Sequence, residues 1–168
     1  ADTAVLLMGL SMLLSSLCYF WNFVDTKIVY RKHLGLAGFA FAVTHLLLSW
    51  SPFMSLFKTS TWSSNGLYPV LAGTTAMMIF SVMALVSNQY SALTLGGKMW
   101  RGILRLGYPA LLLVAVHITL LKYSRWMAWA EAGFTSLPSM SLLMTLFIII
   151  ILLMRIALEV SLRRQRVS

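Results

Sequence analysis

Two histidines stand out because the residues leading up to them repeat. His33-Leu34-Gly35-Leu36 runs on to His45, and Arg105-Leu106-Gly107-Tyr108 runs on to His117. In each phrase a Leu-Gly pair ends ten residues before the imidazole, and a small residue, Gly38 or Ala110, lies seven before it. Seven residues make two helical turns, so the small residue and the histidine share a face. The repeat is incomplete, since Ala42 before His45 is answered by the bulkier Val114 before His117. Each histidine lies 12 residues past His33 or Arg105, about 18 Å along a helix. Two imidazoles at one depth on parallel helices can clasp a flat macrocycle edge-on, and imidazole is a standard axial ligand of haem iron. Gly38 and Ala110 would then leave room for the ring. Two structural histidines bonded across helices, or a proton path, are the plainer readings of the same pair. His33 has no partner histidine at its level and reads as an interfacial residue beside an anion site.

Other chemistry is set aside by what the chain contains. A single cysteine, Cys18, excludes an intramolecular disulfide, a cysteine-cluster metal site and thioether attachment of haem. The four acids, Asp2, Asp25, Glu131 and Glu159, are scattered. They form no catalytic pair, and there is no Ser–His–Asp set or nucleophilic cysteine motif.

The elements that must carry the histidines are membrane helices. The 168 residues are 60% hydrophobic and 10% charged, against about 45–50% and about 25% in soluble domains. The mean hydropathy is +0.84. Five stretches approach the roughly 20 apolar residues needed to cross a bilayer, at about 4–24, 34–50, 67–87, 103–121 and 139–160. None alternates with period two, so the expected fold is all-α, a single integral membrane domain over 1–168 built as a bundle of five transmembrane helices. The first stretch lacks the basic start and small-residue cleavage site of a signal peptide and reads as a span.

Charge sets the expected orientation. Lys27, Arg31, Lys32, Lys98, Arg101, Arg105, Arg155, Arg163, Arg164 and Arg166 fall on one side, and only Lys58, Lys122 and Arg125 on the other. The positive-inside rule puts the N-terminus outside and the C-terminus in the cytoplasm. The net charge of +9 is thereby a matter of topology rather than of nucleic-acid binding. The outer connection 51–66 is rich in Ser and Thr, and Pro69 suits the first turn of the helix that follows. The stretch 124–134 is amphipathic and suits the membrane interface. Trp50, Trp62, Trp126 and Trp129 mark the outer boundary, and Trp21 and Trp100 the inner one. The short loops suit a bacterial inner membrane.

At the two histidine phrases the chain resembles the ferric-reductase-like transmembrane superfamily. Tyr30-Arg31-Lys32-His33-Leu34-Gly35-Leu36 with Phe41-Ala42-Val43-Thr44-His45 is similar to the third helix of the STEAP metalloreductases, and Leu106-Gly107-Tyr108 with His117 to their fifth. Leu137-Pro138 resembles the start of their last span. Leu95-Gly96-Gly97-Lys98-Met99-Trp100-Arg101 resembles bacterial members, among them the haem-bearing membrane subunit of the periplasmic methionine sulfoxide reductase system. The resemblance aligns the five spans with the last five of six.

That resemblance implies one haem b with His45 and His117 as its ligands. The two-haem relatives carry further histidines where this chain has Lys32 and Leu104, so the inner haem is expected to be absent. No G-x-G-x-x-G follows a strand, so electrons are expected from a separate reductase or quinol. They would cross to an outer acceptor such as ferric or cupric ion or a periplasmic redox protein. Lys32, Lys98, Arg101 and Arg105 would suit the phosphates of FAD or FMN, or a quinone headgroup, with Trp100 stacking on the ring. Topology and belt anchoring also account for all five residues. Lys122, Arg125, Trp50 and Tyr68 are candidates for propionate contacts. A homo-oligomer (a trimer, by resemblance) or a hetero-complex is implied. The rival expectation is a non-redox accessory or small transport subunit in which both histidines are structural.

Overall fold

The computed structural model describes residues 1–21, 27, 29–50 and 64–167, and among these the regular structure is helical, with no strand. The end of the first expected span (22–24), Asp25, and the stretch 51–63 with Lys58 and Trp62 lie outside the described residues, as does the side chain of Arg166. The described helices are α1 Asp2–Phe20, α2 Tyr30–Leu48, α3 Ser64–Val86, α4 Gln89–Arg105, α5 Gly107–Glu131 and α6 Met140–Val167.

Four helical stretches are long and apolar enough to cross a membrane: α1, α3 from Gly66, the α4–α5 run and α6 to Gln165. The chain is a membrane protein. α2, which carries the second expected span, is not among the four. Arg31, Lys32, His33 and His45 dilute its apolar run. Met78, Leu85 and Leu93 stand largely exposed, as hydrocarbon-facing side chains do when lipid is the solvent.

α1 is the hub. It packs against α2 on one side and α6 on the other, and α3 packs against α5. The core joins Ala4, Val5, Met8 and Met12 of α1 to Ala76 and Phe80 of α3, with Ala110, Leu111 and Ala115 of α5 and Ile148 and Ile151 of α6. Small residues are frequent there because membrane helices gain little from excluding lipid. They associate instead by close van der Waals contact.

Local chemistry fixes the helix ends. Asn88 caps α4, its Oδ1 accepting the Ser91 N–H at 2.8 Å. Gly96 breaks that helix at φ 72°, where a side chain would be strained. α5 stops at Gly133, also at φ 72°. There the Phe134 N–H donates to the Trp129 carbonyl at 3.3 Å, and the two rings meet edge-on at 4.7 Å. This is the bonding and apolar contact of a glycine C-terminal motif. Ser139 heads α6, its Oγ accepting from the Leu142 N–H at 3.4 Å.

Two helical stretches extend the sequence reading, and the expectation for Pro69 is corrected. The connection before the fourth span is helix α4, because a good cap and an amphipathic sequence support it. The stretch 124–131 continues α5, since nothing before Gly133 breaks the helix. Pro69 lies inside α3, which starts at Ser64 rather than two residues before the proline.

Candidate functional site

His117 is the fixed member of the pair. Its ring lies against α3, where Nδ1 meets the Pro69 carbonyl at 2.7 Å. A carbonyl only accepts, so Nδ1 carries the proton and Nε2 is left with the lone pair. Gly73 makes this approach possible, because a Cβ there would stand 2.8 Å from Nδ1 and 3.0 Å from Cε1. A histidine whose Nδ1–H is held by a backbone carbonyl is the usual form of a metal-ligating imidazole.

His45 is the looser member. It is exposed on α2, and its Nδ1 lies 3.4 Å from Ser49 Oγ, one turn on. α2 and α5 both run against the direction of α1, with Gly35 beside Ser11, Gly38 beside Met8 and Ala4, and Gly107 beside Met12. Both imidazoles therefore lie toward the end of the molecule where α1 begins. Trp50 and Lys122 follow the histidines by five residues, and Tyr68 precedes Pro69. The described propionate candidates share this end.

The small residues of the repeated phrases have a different role from the one expected. Gly38 is buried against α1, and a Cβ on it would stand 2.6 Å from Met8 Cγ and 2.8 Å from the Met8 backbone nitrogen. Ala110 is fully buried in the protein core. In this structure both positions serve helix packing. The Leu-Gly pairs act alike: a Cβ on Gly35 would meet Ser11 Oγ at 3.1 Å, and one on Gly107 would collide with Met12. Both phrases are shaped to pack on α1.

At the opposite end lies a cavity of about 360 Å³. Lys32 and Trp100, expected to act together, both line it, along with Arg31, Asn88 and Gln89. The Trp100 indole donates its Nε1–H to the Val86 carbonyl at 2.9 Å, which fixes the ring at the end of α3. Arg101 and Arg105 do not line the cavity. Both are exposed, and the Arg101 guanidinium folds back beside Gly97. His33 is exposed in the first turn of α2.

Sequence reasoning missed Pro69 and Gly73 as the seat of His117, and Ser11, whose Oγ donates to the Arg31 carbonyl at 2.7 Å. The available signal was a proline followed four residues later by glycine inside an apolar run. Among the described residues no cluster of three or more His, Cys, Asp or Glu forms a metal site. Comparison with family models, with curated proteins and with solved structures gave no match.

Proposed function

We propose that the chain is a b-type haem membrane protein of the ferric-reductase-like kind. It would move electrons between a donor at its basic end and an acceptor at the end where α1 begins. The observation that carries this reading is the His117 Nδ1–H held by Pro69 at 2.7 Å, which presents Nε2 as a ligand, with His45 toward the same end of the molecule on another helix. Two imidazoles are a donor set that fits haem iron. Held between them, the iron would supply reversible one-electron transfer at a potential set by its ligands and its burial.

The residues have separate tasks in this reading. Pro69 and Gly73 orient His117. Ser49 is the only hydroxyl bonded to His45 among the described contacts. By the positive-inside rule the basic end faces the cytoplasm and the histidines lie toward the outside of a bacterial inner membrane. A reductase flavin or a quinol would approach Lys32, Arg101 and Arg105. Ferric or cupric ion, or a periplasmic redox protein, would be reduced near Tyr68, Lys122 and Arg125. Association as a trimer or with a reductase subunit belongs to the same reading.

One observation favours a second reading. The bond from His117 to Pro69 crosses between α5 and α3, which is what a structural histidine of an accessory or transport subunit makes. Oxidised and dithionite-reduced visible spectra of the purified chain separate the two. The haem reading expects a bis-imidazole b-type spectrum that is lost in both His45→Ala and His117→Ala. A colourless chain from cells with ample haem would leave the structural reading in place.

A further inference from the structure

The cavity at the basic end has a graded wall. Arg31 and Lys32 border it, and Phe39 lies seven residues beyond Lys32 on the same helix. On the facing side, Ser87 and Phe80 are likewise seven residues apart. Seven residues of helix cover about 10 Å. The lining thus passes from cationic to hydrocarbon over the distance from a lipid phosphate to the upper part of its acyl chains.

Two helix starts open on this space, that of α2 at Arg31 and Lys32 and that of α4 at Asn88 and Gln89. The α2 start has no acidic residue in its first turn and no side-chain cap. The positive end of the helix dipole adds to two cations already there, an arrangement that favours an anion. Among the described residues that line the cavity there is no Asp or Glu. Its walls are also fixed in advance. Ser11 ties the first turn of α2 to α1, and the Trp100–Val86 bond ties α4 to the end of α3.

We propose that this cavity binds an anionic phospholipid. The phosphate would sit at Arg31 and Lys32, and an acyl chain would lie along Met8, Phe39, Phe80 and Met83. The surrounding bilayer is the source of such an amphipathic anion, and basic pockets between membrane helices recognise lipid headgroups. The proposal holds whether or not the histidines bind iron, and it assigns Lys32 to the lipid and leaves a donor the approach past Arg101 and Arg105, which lie outside the cavity.

The test titrates the purified full chain with phosphatidylglycerol or phosphatidylcholine of matched acyl chains and counts bound lipid by native mass spectrometry. One phosphatidylglycerol per chain is expected, preferred by about tenfold. Replacing Arg31→Gln and Lys32→Gln together brings the preference to near parity. Ala92→Leu keeps both cations but fills the cavity, and it lowers phosphatidylglycerol occupancy by a similar factor. Arg163→Gln with Arg164→Gln, on exposed cations of α6, leaves binding unchanged. Should the paired variant fail to fold, Ala92→Leu decides alone. Equal binding of both lipids, or undiminished binding by Ala92→Leu, overturns the proposal. Displacement of the lipid by inorganic phosphate would assign the cavity to a free anion and also overturn it. So would a stoichiometric flavin or quinone that copurifies with the wild type and is lost in Ala92→Leu.

Discussion

His117 lies half-buried on α5 with one ring nitrogen bonded to the Pro69 carbonyl at 2.7 Å. His45 stands exposed on α2, with Ser49 Oγ of its own helix 3.4 Å away. The two phrases that lead to them match in their Leu-Gly pairs and in the spacing of a small residue. The match accounts for what the phrases share, which is packing on α1 through Gly35, Gly38 and Gly107. It does not account for the difference at the imidazoles. That difference comes from α3, which offers Pro69 and Gly73 to His117 alone. A repeat in sequence can therefore mark a common wall while leaving two unlike chemical environments at its ends.

Breaking the common wall has the largest expected effect. Gly38→Val drives a side chain into the Met8 backbone and is expected to cost about 3 kcal/mol in thermal or denaturant unfolding in detergent. Gly102→Val is the control, because no atom lies within 4 Å of the added carbon, and it should leave stability nearly unchanged. Gly73→Ala sharpens the comparison at the His117 end. Its Cβ would stand 2.8 Å from Nδ1, so the ring must shift and the Pro69 bond must lengthen. The expected cost is about 1–2 kcal/mol, together with a several-fold loss of haem retention. If retention is unchanged, the Pro69 bond is not what orients the ligand.

The histidines themselves should separate in stability even where they agree in spectrum. In haem-free protein, His117→Ala removes an interhelical bond and should cost about 0.6–1.7 kcal/mol. His45→Ala removes none between helices among the described residues and should stay within about 0.5 kcal/mol. Equal losses would show that His45 has a cross-helix partner of its own. A comparably small effect is expected at the other end. Trp100→Phe deletes the bond to Val86 and should cost about 0.5 kcal/mol, read in the same unfolding assay.

Much of this architecture was legible in the residues. Apolar run length placed a helix on each of the five expected spans, because lipid forces backbone groups to bond within the segment. Boundaries were less legible. Helix α4 was hard to see because Gly96 and Gly97 disfavour a helix, while the cap that starts it rests on one asparagine. The continuation of α5 to Glu131 was hidden by its aromatic and charged residues, which suit an interface as well as a helix end. At the candidate site, the histidines and Lys32 with Trp100 were picked out by type and spacing. The orientation of Gly38 and Ala110 was not, since a small residue leaves room equally for a ligand or for a neighbouring helix. Only the placement of α1 decides between them. Pro69 escaped notice because a backbone carbonyl has no signature in side-chain types.

The most direct test of the central reading is a haem titration of the purified haem-free chain, followed by absorbance and by electron paramagnetic resonance of the ferric form. Saturation at one haem per chain with a low-spin, bis-imidazole signal is expected, with low-spin binding abolished by either His45→Ala or His117→Ala. Absence of a low-spin species in the wild type, or its persistence in both variants, would contradict the account.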